Sequence, residues 1–232
     1  MTASIFILTG AGISAESGVA TFRDAGGLWS KVKLEDVATP EGFLRDPAAV
    51  HAFYNARRAN LREVEPNAAH YALARLQRDY EGEVTLVTQN IDDLHERAGS
   101  RSVIHMHGEL SLSLCAHCGA RAKAESDLSL TLSCAACGTA SSLRPDVVWF
   151  GEMPYRMNEI YDRLMDADLF VSIGTSGAVY PAAGFVAEAR TAGIRSLELN
   201  LEPSDGTFLF DEARHGPASK LVPAFVEAAL AS

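Results

Sequence analysis

The sequence contains no apolar run of 18 residues, so no membrane-spanning helix is expected. Lysine is scarce, with four among twenty basic residues, and thirty acidic residues leave a formal charge of −10. That balance argues against a bulk electrostatic grip on nucleic acid, although a local basic patch stays open. The opening stretch MTASIFILTG lacks a basic flank and a small-residue cleavage site. It reads as a first strand, with little or no segment before it, and a cytoplasmic location is expected. There is no internal repeat and no low-complexity tract. Cysteine is confined to positions 115–137.

What is present is apolar enough, at 47% of 232 residues, for one large domain or a large and a small one. The run from Ser4 to Thr9 predicts a buried strand. Further strands are expected at 83–88, through SVIHMHG, at 168–174 and through RSLELN. Asp46-Pro47 opens a predicted helix that runs to Leu61, with a cap and then proline at the first helical position. Asn67 caps a second helix. Pro181 to Ala192 forms a third, stopped by Gly193, and GPASKLVPAFVEAALA closes the chain. Strands alternating with helices give an α/β class with a mostly parallel sheet.

The first strand runs directly into GAGISAESG, residues 10–18. Gly10 and Gly12 allow close approach of backbone to an anion, and the turn reads either as a phosphate-binding loop or as an ordinary tight turn. Alanine at position 15 stands where a strict G-x-G-x-x-G would place its third glycine. Asn90 and Asp92 follow the carboxyl end of the second strand, where open α/β sheets gather ligands. They could bond sugar hydroxyls or an amide, or cap a helix that starts near Asp93. His107, before Gly108, could act as a proton acceptor or be a satisfied junction histidine. His105, two positions back, is expected on the same strand face. Gly174, Thr175 and Ser176 form a small turn able to meet phosphate or ribose, or a generic strand-to-helix turn.

The cysteines pair as Cys115-x2-Cys118 and Cys134-x2-Cys137. Disulfides do not suit the expected compartment, whereas four thiolates suit one tetrahedral structural Zn2+ with no open position. His117, inside the first pair, is taken as a bystander. In the helix after Pro47, Val50, Phe53, Tyr54 and Leu61 form an apolar stripe. Arg57 interrupts it. A guanidinium there either snorkels, pairs internally or awaits an anionic ligand, with Tyr54 on the same face.

Together these pieces resemble the sirtuin family, the NAD-dependent protein-lysine deacylases. The resemblance covers nearly the whole chain and rests on GAGISAESGVATFRD, TQNIDDLHERAG, HMHGEL, the cysteine pairs, RPDVVWFGE, GTSGAVYPAAGF and LELN. It makes the alanine at position 15 part of the family's own loop. It implies a Rossmann-like domain from 1–30, 82–110 and 145–232, a helical insertion at 31–81 and a zinc-binding module at 111–144. It assigns Gly10, Ala11, Gly12, Ile13, Phe22, Arg23 and Asp24 to the cofactor loop, with the stretch near Phe22 as a lid. Gln89, Asn90 and Asp92 would surround nicotinamide and its ribose. Gly174, Thr175, Ser176, Asn200 and Leu201 would hold phosphates and adenosine. His107 would be the general base. Val147 to Glu152, with Val148, Trp149, Phe150 and Gly151 at its centre, would line the acyl-lysine channel and pair with substrate backbone.

The helix motif FYNARR also resembles a bacterial subgroup in which a tyrosine and an arginine recognise acidic acyl groups, here Tyr54 and Arg57. The implied reaction transfers the acyl group to NAD, giving free lysine, nicotinamide and acylated ADP-ribose. The implied partners are acylated lysines of proteins or peptides, and a monomer is expected. The alternatives are a mainly acetyl-specific enzyme, an NAD-dependent ADP-ribosyl transferase, and a zinc or nucleotide module without turnover.

Overall fold

The computed structural model describes residues 3–19 and 33–231. Elements follow in chain order as β1 (Ile5–Thr9), α1 (Ala11–Ala15), α2 (Leu34–Val37), α3 (Pro40–Arg45), α4 (Pro47–Leu61), α5 (Ala68–Asp79) and β2 (Val84–Thr88). After them come α6 (Leu94–Arg97), β3 (Ile104–His105), β4 (Gly108–Cys115), β5 (Arg121–Lys123), β6 (Leu143–Val147) and α7 (Met157–Met165). The chain then forms β7 (Leu169–Ile173), α8 (Phe185–Thr191), β8 (Arg195–Asn200), β9 (Glu212–His215) and α9 (Ala218–Leu230).

Six strands form one sheet in the order β3-β2-β1-β7-β8-β9, and every pairing in it is parallel. Strand β1 alternates as a doubly covered strand must. Ile5 and Ile7 face α5 and α9, where Leu73, Leu76, Val222 and Phe225 pack. Phe6 and Leu8 face α7 and α8, where Ile160, Leu164, Phe185 and Val186 pack. This is the expected Rossmann-like layering. Strand order reverses at β1, with β2 on one side and β7 on the other, so the loops leaving β1 and β7 flank a switch point.

The helix signals acted locally. Asp46 Oδ1 accepts from the Ala49 amide at 2.9 Å, and Pro47 opens α4 as its residues dictate. Asn67 and His70 form a reciprocal cap on α5. Although the sequence groups α5 with the 31–81 insertion, it lies on the sheet against α9. Between Pro181 and Ala192 a short 3-10 turn, Ala182–Gly184, precedes α8, so the predicted single helix is two pieces. The strand expected through SVIHMHG ends at His105. His107 lies in the turn beyond it, and the shared strand face expected for the two histidines does not form.

A second, antiparallel sheet of β5-β4-β6 carries the cysteine module. Strand β4 begins beside His107 and ends at Cys115, while β6 leads from the module to the 148–152 segment. A third apolar cluster joins the two domains. Val50, Phe53, Tyr54 and Leu61 of α4 meet Leu94, Leu110, Val147 and Trp149 there.

Candidate active site

The turn after β1 and the turn after β7 touch. A Cβ added at Gly12 would lie 2.7 Å from Gly174 Cα, and one at Gly10 would lie 2.8 Å from Gly174 O. Gly174 itself adopts φ +63°. Only glycines allow this approach of one backbone to the other. The Gly10 amide donates to Ile173 O, Gly12 to Gly174 O and Ile13 to Gly10 O. These three amides are spent within the protein, so they are not the anion donors that the sequence suggested. Ile13 also buries its side chain in the core, and Ala11 is half-buried beside it. Phe22, Arg23 and Asp24 lie outside the described residues. Asn200 Nδ2 donates to Thr175 O at 2.7 Å, tying the end of β8 to the same turn. Ser176 O accepts from the Asp205 amide, and Leu201 is exposed at this rim.

On the other side of β1, the Gln89 amide donates to Thr9 O. Asn90 is buried, and its Nδ2 reaches Gly10 O and Ser14 Oγ, both at 3.1 Å. Asp92 is also buried, and burial raises its pKa against the opposing pull of the Leu94 amide. Its Oδ1 accepts from that amide at 3.2 Å, although the N-cap position of α6 falls to Asp93, while Asn90 faces the glycine turn. His107 Nδ1 lies 3.0 Å from Gln89 O. A carbonyl only accepts, so Nδ1 carries the proton and Nε2 keeps its lone pair. Burial lowers the His107 pKa, which favours this neutral form. One chain of contacts therefore joins His107, Gln89, Asn90, Gly10, Gly174, Thr175 and Asn200 along the carboxyl edge.

Beneath this edge lies a polar layer that sequence reading missed. Thr9, Thr88 and His95 bond one another at 2.8 and 3.0 Å, and Ser14 Oγ lies 3.4 Å from His70 Nε2. Burial depresses His70 to about 4 and lowers His95 well below its usual value, so both are neutral. The available signal was the Asn67-x-x-His70 spacing, which read only as a helix start.

Helix α4 places Tyr54 against Trp149 and Arg57 within electrostatic range of Asp92. Tyr54 is 2% exposed, and burial pushes its phenol up to about 12. Trp149 Nε1–H donates to Tyr54 Oη at 3.0 Å, which leaves the phenol proton available for donation. Burial lowers the Arg57 pKa, against the raising charges of Tyr54 and Asp92. Its neighbour Arg58, which the apolar stripe did not single out, is the more buried and donates to Leu110 O. Trp149 points inward and Phe150 outward, at 48% exposure. Arg144 stacks 3.4 Å from the Trp149 ring centroid and binds both Glu152 oxygens. The amides of Val148, Trp149, Phe150 and Glu152 donate to His107 O, Glu152 Oε2, Ala38 O and Trp149 O. Gly151, at φ +90° and open to space, is the least committed residue of this segment.

The sulfurs of Cys115, Cys118, Cys134 and Cys137 all lie within 4.8 Å of one another. Cys115–Cys137 and Cys118–Cys134 are both at 3.8 Å. Disulfides need about 2.05 Å, while a tetrahedron with metal–sulfur arms of about 2.3 Å has edges of about 3.8 Å. The cluster can chelate one metal ion, and His117 is exposed and outside it.

A model of the Sir2 family matches residues 10–181. The chain is 59% identical over 230 residues to an NAD-dependent protein deacylase of Caulobacter vibrioides, covering 98% of this chain and 97% of that one. It is 57% identical over 225 residues to one of Escherichia coli K12, covering 96% and 81%. A solved Sir2 homolog–NAD complex superposes with a TM-score of 0.87 at 38% identity, covering 97% of this chain and 89% of that one. A Sir2–p53 peptide–NAD+ structure does so with 0.81 at 28%, covering 98% and 94%. The chain belongs to the Sir2 family of NAD-dependent protein deacylases.

Proposed function

We propose that this enzyme removes succinyl and malonyl as well as acetyl groups from protein lysines, releasing nicotinamide and O-acyl-ADP-ribose. The contact chain from His107 to Asn200 at the switch point carries the reading. Its buried Asn90 and close-packed glycine turns, with the buried Asp92 nearby in sequence, fit a dinucleotide. When bound, NAD would supply an electrophilic ribose carbon and a nicotinamide leaving group. His107 Nε2 would accept the proton of a ribose hydroxyl, with Gln89 O holding the ring's other nitrogen. Asn90, fixed on Gly10 O and Ser14, positions the sugar, and Asp92 lies beside it. Trp149 and the glycine turns exclude water from a weak nucleophile, the amide oxygen.

The acidic-acyl preference rests on Tyr54 and Arg57. A buried phenol kept protonated by its surroundings, with its oxygen held by Trp149, donates toward the cleft. The Arg57 guanidinium remains charged there. Together they suit a carboxylate at the end of an acyl chain. The comparison is turnover of acetyl, malonyl and succinyl versions of one peptide by the parent and by Arg57→Gln. A charge-assisted bond of about 1.5–3 kcal/mol predicts a loss of roughly ten- to a hundredfold on the two acidic acyls and much less on acetyl. Equal losses on all three would make Arg57 a structural residue.

The four-cysteine module holds Zn2+ in this reading, on its donor set and sulfur spacing. Monomeric chains in the cytoplasm complete it, and the acidic surface disfavours nucleic acid. Appearance of nicotinamide from NAD only when acyl peptide is present tests the reaction itself, and release without peptide would indicate a different NAD-consuming enzyme.

A further inference from the structure

Two histidines on successive sides of Met106 grip two successive carbonyls. His107 Nδ1 faces Gln89 O at 3.0 Å, and His105 Nδ1 faces Asn90 O at 3.2 Å. They differ at the other nitrogen. His105 Nε2 meets Glu96 Oε1 of α6 at 2.9 Å, with the His105 side chain buried and Glu96 half exposed. A neutral imidazole has one N–H and can satisfy only one of these acceptors, whereas an imidazolium satisfies both.

We infer that His105 works as an imidazolium clamp, charged through Glu96, that positions the Asn90 backbone and through it the nicotinamide-ribose end of NAD. The clamp is a positioning device and touches no reacting atom. It rests on the reading of the carboxyl edge as the NAD site.

The charges around the ring agree with this state. Burial alone would lower the His105 pKa, but the Glu96 bond and charge, Glu109 on β4 and Asn90 O together raise it. Asp92 also interacts with it, and His95 of α6, which feels its charge, is held neutral by burial. Across the sheet, Thr88 spends its hydroxyl on Thr9 and the Asn90 amide. Asn90 is then held on three sides: its carbonyl by His105, its amide by Thr88 and its side chain by Gly10 and Ser14. Because the folded pKa is raised, the clamp is complete below about pH 6.5 and is lost as pH rises through the higher folded value.

Glu96→Gln keeps the shape of the partner and removes its charge, on a half-exposed side chain. In the parent enzyme, 15N-edited NMR should show both His105 nitrogens protonated at neutral pH. In Glu96→Gln the ring should lose one proton there. At mildly alkaline pH, kcat/KM for NAD should fall about two- to fivefold, the scale of a half-exposed charge pair. It should recover toward the parent value at mildly acidic pH, and KM for the acyl peptide should stay unchanged. A merely structural role would not give recovery with acid. A singly protonated His105 in the parent at neutral pH, or superimposable NAD profiles for the two proteins, would overturn the clamp. A parent enzyme that releases no nicotinamide would instead overturn the proposed function, because the NMR measurement needs no turnover.

Discussion

The parallel sheet and the cysteine module are held together by different means. The sheet is covered on both faces by apolar side chains, with Phe6, Ile7, Phe170 and Val171 essentially sealed from water. In the module, Leu128 is the buried apolar residue between Cys118 and Cys134 among the described residues, and β5 is exposed throughout. Apolar burial suffices for the first, whereas the second has little of it and gathers four sulfurs able to chelate a metal instead. The difference matters to function because both strands that leave the module feed the cleft. Strand β4 starts at Gly108, next to His107, and β6 delivers Val148 and Trp149. In the proposed function the module would brace chemistry that takes place at the edge of the sheet.

The comparison breaks most severely if the module survives without metal. Binding of structural zinc is worth on the order of 10 kcal/mol, so Cys118→Ser or a strong chelator should abolish protection of amides in 111–144. Amides of β1 and β7 should stay protected in the same hydrogen-exchange measurement. A single cooperative loss of both would show that the sheet also depends on the metal.

His107→Ala separates chemistry from both kinds of stability. If His107 is the general base proposed, its loss predicts a fall of about 10²–10⁴-fold in turnover. Thermal unfolding and bound metal should match the parent. Because the His107 pKa is lowered, the base stays neutral to below its usual value, and the acid limb of kcat/KM for the parent should lie under about pH 6.5.

The sheet also has an acid weakness of its own, separate from any protonation of the module's thiolates. His70 is fully buried and titrates at about 4 when folded, against about 6.5 when unfolded. The unfolded chain binds that proton first, so stability is full above pH 6.5 and falls as pH drops toward 4. The loss from this one group is roughly 3 kcal/mol. Denaturant unfolding across that range measures it, and His70→Gln should flatten the slope. An unchanged slope would move the acid sensitivity to other groups, His95 first.

Much of the site was legible because its signals are local. A glycine turn after a buried strand, two C-x2-C pairs and an aspartate-proline helix start act within a few residues. Their spacing survives any packing. The exposed edge strand β9 was missed because nothing in Glu212–His215 alternates between apolar and polar. Arg58 and the Arg144–Glu152 pair were missed because a buried cation is recognised by partners far away in sequence.

The sequence alone determined most of the main helices and the core strands, the strand that carries the glycine turn, the four cysteines able to chelate a metal and the stripe that places Tyr54 on the inner face of its helix. Those outcomes follow from residue chemistry at short range. Tertiary structure decided that Gly10 and Gly12 serve contact with Gly174 and not open amides, and that His105 and His107 diverge. It also decided that Trp149 holds the Tyr54 oxygen. Each of those depends on which oxygen or backbone atom a distant segment brings within bonding distance, and only the packed sheet with its brace fixes that.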